Sequence, residues 1–149
     1  MCTIHLTTFI AAPIERVFDL SRSISLHKIS SAHTNKEAIS GITSGLINKN
    51  ETVTWRAKHL FKIRYFTTRI SEMQSPNFFI DEMQKGDFKS LKHEHHFKKI
   101  DNGTIMIDIL NFESPYGIIG KWFNKIYLKN LLQKFIVQRN IVIKDYNLL

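Results

Sequence analysis

The chain has 149 residues, 43% of them hydrophobic and 23% charged, with a formal net charge of +8. That is the length of one ordinary domain with enough apolar residues for a core, and it excludes a disordered chain. The single cysteine, Cys2, excludes an intrachain disulfide, and no apolar run reaches the roughly 18 residues of a membrane span.

Thr3 to Ile10 is rich in Thr and β-branched residues and predicts a strand. No basic, apolar, small-residue leader stands there, so the expected location is the cytoplasm. Pro13 then suits a first helical turn, and Ile14, Val17, Phe18 and Leu20 fall at helical spacing. Ser21 to Ser23 interrupts, and Ile24 to Ile29 predicts a second short helix. Glu37 to Ser40 and Leu46 to Asn48 are weak strand candidates around Gly41 and Gly45.

The pattern then sharpens. From Glu51 to His59, Val53, Trp55, Ala57 and His59 alternate with Thr52, Thr54, Arg56 and Lys58. Phe61 to Met73 and Phe78 to Gln84 predict two more strands, split by the turn Ser75-Pro76-Asn77. Ser90 to Ile100 alternates again, and Asp101-Asn102-Gly103 reads as a hairpin turn into Thr104 to Phe112. Tight turns and short spacings require antiparallel pairing. From Pro115 onward comes a long, Lys-studded amphipathic helix. The order is β-αα-β-β-β-β-β-β-α. With no internal repeat or linker, residues 1–149 read as one domain of the α+β class.

The positive charge is lysine-heavy and dispersed, as in Lys36, Lys49, Lys62, Lys85, Lys98 and Lys144. A solvated surface explains that pattern, and no nucleic-acid partner is expected.

This order resembles the helix-grip fold of the SRPBCC superfamily, which includes START domains, birch-pollen-allergen-like proteins and polyketide cyclase/dehydrase-like proteins. The features that carry the resemblance are Ala12-Pro13-Ile14-Glu15-Arg16-Val17-Phe18-Asp19 after the first strand and His95-x-Phe97 late in the meander. Gly103-Thr104, Asp108 and Pro115-Tyr116-Gly117-Ile118-Ile119-Gly120 complete them. The resemblance implies a curved sheet of about seven strands gripping the last helix around a cavity for apolar molecules. It implies no single activity, because function on a shared fold lies in the site.

Polar residues on faces that should be apolar are the candidate site. His59 shares the face of Val53 and Trp55. His93 and His95 lie between Leu91 and Phe97 on one face, roughly 7 Å apart along the strand. Asp81 lies between Phe79 and Met83. Asp108 shares a face with Met106, Leu110 and Phe112, although Ile105, Ile107 and Ile109 compete to point inward. A buried carboxylate or imidazole needs a partner. Asp–His pairing across neighbouring strands supplies one, and is expected to raise the histidine pKa. Two readings satisfy this pattern. One is a polar patch in an apolar cavity that orients a ligand or moves a proton. The other is a self-satisfied core network.

His93 and His95, with His59 or Asp81, would make a three-ligand metal set. The histidine run mixes both strand faces and is not His-Glu-x-x-His, so neither metal nor cofactor is expected. No nucleophile elbow or phosphate loop is present. The leading reading is a binder of a hydrophobic small molecule (lipid, isoprenoid-like or polyketide-like). Trp55, His59, Asp81, His93, His95, Phe97, Asp108 and Phe112 would contact it. A cyclase/dehydrase-type enzyme with a general acid–base histidine is the alternative. A third reading is a protein-interaction module, or transient contact with an anionic membrane, through the basic tail helix. Ligand identity and oligomeric state are left open.

Within the tail, the apolar face of Ile118 to Tyr127 differs by half a turn of the wheel from that of Leu128 to Ile143. A break, kink or change of packing partner is therefore expected near Tyr127–Asn130. The earlier part would be a flap by the cavity mouth, with Trp122 and Phe123 as its gate or membrane-contact residues and as further ligand contacts.

Overall fold

The computed structural model describes residues 2–31, 35–59, 62–113 and 118–147, and their side chains apart from residues 59, 62 and 118–125. Alternating residues build β1 (Cys2–Ile10), and Pro13 then caps α1 (Ile14–Ser21) at its N-terminus. The Ser21 hydroxyl bonds back to the Val17 carbonyl, and the chain restarts as α2 (Ile24–Ser30) with the Ser23 side chain accepting from Leu26 N–H. A serine N-cap of this kind satisfies a donor that the new helix would otherwise leave open.

Six strands follow: β2 (Glu37–Gly41), β3 (Thr52–His59), β4 (Lys62–Gln74), β5 (Phe78–Lys85), β6 (Ser90–Ile100) and β7 (Gly103–Glu113). They join β1 in one antiparallel sheet of seven strands, ordered β1-β7-β6-β5-β4-β3-β2. Register shifts between Thr67 and Thr68 and between Ile70 and Glu72 mark bulges, which bend and twist strands into a curved sheet. The long helix α3 (Ile118–Tyr146) closes the chain.

Leu46 to Asn48 is not a strand. Arg22 holds this segment, donating from Nη1 to the Ile47 carbonyl (3.1 Å) and to Asn48 Oδ1 (2.7 Å), while Ile47 is buried in the core. The Arg22 anchor takes the place of a full ladder, and among the described residues only one bridge, Ser23 to Leu46, forms.

Of the expected break, kink or change of packing partner in the tail, the break is absent: α3 is helical without interruption from Ile118 to Tyr146. With no proline in it and no glycine beyond Gly120, nothing forces the backbone ladder open. The residues at the shift of apolar face are exposed. Ile126 is 52% and Tyr127 47% exposed, whereas Leu128, Leu132, Ile136 and Ile143 turn inward. Trp122 and Phe123 lie on α3, and their expected role as gate residues falls outside the described side chains.

The core has two apolar parts. One gathers Phe18 and Val17 of α1, Trp55, Phe79, Phe97, Met106 and Ile143. The other gathers Ile4, Leu91, Leu110, Phe112 and Ile136. Between them, element by element, stands a polar residue. β1 reads Ile4, Thr8, Ile10; β7 reads Met106, Asp108, Leu110; β6 reads Leu91, His93, His95, Phe97; α3 reads Ile136, Arg139, Asn140, Ile143. The inner face therefore carries a polar belt across the sheet, crossed by the helix.

Candidate functional site: a polar belt on the inner face

The strand pleat puts the belt inside. In β7, Thr104, Met106, Asp108, Leu110 and Phe112 are all buried, so the face carrying Asp108 wins over that of Ile105, Ile107 and Ile109. In the ladder, Asp81 stands opposite His93, and His95 opposite Asp108. The side chains pair along the diagonal instead, an offset long side chains can span. His95 Nε2 meets Asp81 Oδ2 at 2.7 Å, and His93 Nε2 meets Asp108 Oδ1 at 2.8 Å. The two imidazoles stack at 3.8 Å, and Phe79 covers the other side of His95 at 4.1 Å.

Helix α3 completes the network. Arg139 Nη2 donates to Asp108 Oδ1 (2.6 Å), and Arg139 Nη1 donates to His95 Nδ1 (3.0 Å). Asn140 Nδ2 donates to Asp108 Oδ2 (3.0 Å) and Thr8 Oγ1 (3.1 Å), while Asn140 Oδ1 accepts from Arg139. Arginine only donates, so His95 Nδ1 is an acceptor, and the His95 proton sits on Nε2, pointed at Asp81.

The electrostatics follow from burial and these contacts. Burial alone would push the fully buried Asp108 carboxyl up. The Arg139 guanidinium and the His93 hydrogen bond overturn that and hold it well below the usual carboxylate range. Burial likewise works against the Asp81 charge, and the His95 hydrogen bond brings its pKa down. His95 goes down to about 4, chiefly through burial and then the neighbouring His93, against the pull of Asp81. The rise expected from Asp–His pairing is therefore reversed: removing the ring from water outweighs its carboxylate.

Beside the belt lies a second polar group. The Trp55 ring on β3 is flanked by His27 of α2, 6.0 Å between ring centroids, and by Lys36 Nζ, 4.5 Å from the ring centroid. Burial, with Lys36 and Arg139 nearby, holds His27 well below its usual range. Burial also brings Lys36 down to about 8, against the favourable charge of Asp81. Lys36 is thus half-buried, not one of the solvated surface lysines.

Of the residues singled out by sequence, Asp81, His93, His95 and Asp108 come together, and Trp55 belongs to the apolar cluster of Phe79 and Phe97. Phe97 packs on Phe18 (5.3 Å) and Phe79 (6.1 Å), and Phe112 on Phe88 (5.9 Å). Both are buried wall on opposite sides of the belt. His59 ends β3, and its side chain is outside the described ones. Sequence reasoning missed Arg139, Asn140, His27 and Lys36. Arg139 and Asn140 stand three and four residues after Ile136 and four and three before Ile143, which is a helical signal for the inward stripe. His27 and Lys36 carry no such signal.

Asp81, His93 and His95 can each place a ligand atom within 4.8 Å of the others. Their hydrogen bonding suits a metal poorly. Ligation through His95 Nε2 would move its proton to Nδ1, where it would face the Arg139 N–H. His93 Nε2 is already engaged by Asp108.

No family model and no curated protein sequence matches this chain. Solved structures do. TTHA0849 from Thermus thermophilus matches with a TM-score of 0.76 at 18% identity, covering 98% of this chain and 97% of that one. The Zhui aromatase/cyclase from Streptomyces sp. R1128 matches with a TM-score of 0.75 at 11% identity, covering 97% and 92%. Ara h 8.0201 matches with a TM-score of 0.72 at 10% identity, covering 98% and 97%. At these identities the likeness concerns the fold alone: a curved antiparallel sheet and a long C-terminal helix, the helix-grip arrangement.

Proposed function

We propose that this helix-grip protein binds a hydrophobic small molecule in an internal cavity between the sheet and its helices. The molecule would be a lipid, isoprenoid-like or polyketide-like compound. The supporting observation is the division of the inner face. Apolar residues fill both sides of the belt, and within the belt Asp81 Oδ1 and His93 Nδ1 carry no hydrogen bond among the described residues. Apolar walls with a few placed polar groups are what small-molecule sites need. Asp81 is 22% exposed, and only its Oδ2 carries a hydrogen bond among the described residues. The structural neighbours support such a fold without naming a ligand.

Acid–base catalysis is the weaker reading. A general acid or base needs a titrating atom free to meet the substrate. Both nitrogens of His95 and both oxygens of Asp108 are engaged, which leaves only His93 Nδ1 and Asp81 Oδ1 through which such a reaction would act. Native mass spectrometry of the purified protein, followed by organic extraction, tests the proposal. The expected result is an apolar adduct released by extraction, or uptake of an added apolar ligand by the emptied protein. Failure to bind any apolar ligand by a correctly folded protein would overturn it.

A further inference from the structure

Two atoms of the belt keep a lone pair unspent, and they stand on neighbouring strands. Asp81 of β5 and His93 of β6 are direct partners in the ladder, so their side chains leave the sheet on the same face. Each can place a ligand atom within 4.8 Å of the other and of His95. His93 Nε2 faces Asp108 Oδ1, which also accepts from Arg139, so that nitrogen is the donor and Nδ1 of the neutral ring is an acceptor. Asp81 Oδ2 accepts from His95 Nε2, and Asp81 Oδ1 is an acceptor too. Neither His93 Nδ1 nor Asp81 Oδ1 has a hydrogen bond among the described residues. Every fully buried side-chain nitrogen and oxygen among them does have one, so these two atoms open on space that a water molecule can reach. His95 accepts from Arg139 at Nδ1 and is therefore a neutral ring, which leaves the Asp81 charge without a cation in contact. The His27 ring nitrogens and the Lys36 ammonium also lack hydrogen bonds among the described residues. They lie against Trp55, and no hydrogen bond, ion pair or ring contact joins them to Asp81 or His93.

We propose that Asp81 and His93 together hold a primary ammonium group at the polar end of an apolar ligand, one N–H donating to Asp81 Oδ1 and another to His93 Nδ1. This inference rests on the ligand-binding reading above and names the head group. Donor count and charge select among the possible heads. A carboxylate, ketone or ether brings only acceptors to a pair that already consists of acceptors. An alcohol has one proton for two lone pairs. A quaternary ammonium carries the charge without the donors. A primary ammonium has three donors and no acceptor, and its charge answers a carboxylate hydrogen-bonded only to a neutral ring. A zinc-like metal ion would find two lone pairs, short of the three or four protein ligands such sites use, because His95 Nε2 keeps its proton toward Asp81.

The test is a matched ligand series on the full chain at about pH 7.5, above the ordinary imidazole range and below micelle-forming concentrations. Dodecylammonium, dodecyltrimethylammonium, dodecanol and dodecanoate each compete against one apolar fluorescent reporter. Dodecylammonium is expected to bind about tenfold more tightly than the trimethyl form and than dodecanol, the scale of a hydrogen bond to a charged group. Dodecanoate is expected to bind most weakly. The preference for the primary over the trimethyl head should vanish in Asp81→Asn, whose amide oxygen can keep the His95 bond while its NH2 turns a donor toward the ligand. It should vanish also in His93→Gln, whose NH2 can keep the bond to Asp108. Reporter binding by each variant shows that it is folded. Lys36→Met should retain the preference; its loss there would move the anchor to the Trp55 edge and overturn the pair. Equal binding of the primary and trimethyl heads overturns the two-donor anchor and leaves the cavity reading standing, as does tightest binding of dodecanol or dodecanoate. If neither the reporter nor any of the four binds the folded protein, the cavity reading falls and this inference with it.

Discussion

The two polar regions of the inner face differ in how completely they are paired. Around Asp108, both carboxylate oxygens, Arg139, Asn140, Thr8 and the two histidines form one closed network. Around Trp55, among the described residues, the Lys36 side chain meets only the indole face, and the His27 side chain makes only a ring contact with the same indole. Closed networks fix geometry, because every member is over-determined by its partners. Open ones cost stability unless something completes them. The first region therefore reads as the pin that holds α3 against the sheet, and the second as a place where the proposed ligand would gain specificity.

The largest expected effect tests the pin. Arg139→Ala strands the Asp108 carboxylate, which is 0% exposed, between two apolar clusters. Breaking one side of a buried ion pair typically costs about 3–5 kcal/mol. Urea unfolding should show that loss, and the double variant Arg139→Met with Asp108→Leu should recover much of it, since apolar replacement of the whole pair is often neutral. If Arg139→Ala unfolds at the wild-type midpoint, the closed network does not hold the helix.

A smaller effect comes from pH. His95 titrates at about 4 in the fold and near 6.5 when unfolded. Between those values the unfolded chain binds a proton that the native state refuses, so stability falls as pH falls through that window. The drop from this residue alone is about 3 kcal/mol at most. His27, also depressed, acts in the same direction. Asp108 and Asp81, with pKa values lowered in the fold, add a further loss once pH falls below the ordinary carboxylate range. Urea midpoints measured from pH 7 to pH 4 should slope downward, and His95→Gln should flatten the slope. An unchanged slope in that variant would place the titration elsewhere.

How far the sequence foretold this contrast depends on the element. Strand alternation exposed Asp81, His93, His95 and Asp108, because a pleat has only two faces and Phe79, Leu91, Phe97 and Leu110 fix which one is inside. The same rule could not pair them, since diagonal contacts depend on register and rotamer. On α3, attention to apolar spacing hid Arg139 and Asn140, although both fall on the stripe of Leu132, Ile136 and Ile143. The expected break failed for a related reason. A helix can keep its hydrogen bonds while Ile126 and Tyr127 face outward, since backbone continuity and apolar periodicity are separate constraints. Lys36 was illegible. It lies in irregular chain before β2, where no period assigns a face, and its environment comes from β3 and β5, far along the sequence.

The smallest expected effect probes that lysine as an unmatched charge. In the fold its amine titrates at about 8, against an ordinary value of 10.5. Between these values the unfolded chain holds a proton that the native state has shed, so wild-type stability should rise as pH climbs from about 8 toward 10.5. A part-exposed, flexible side chain can swing its ammonium toward water, which limits the gain to about 1 kcal/mol. Lys36→Met should remove the rise and stand at least level with the wild type at pH 7, because the variant has no half-buried ammonium to desolvate. Lys36→Met falling well below the wild type at neutral pH would mean that the lysine is a structural partner after all, and the contrast between a closed pin and an open edge would collapse.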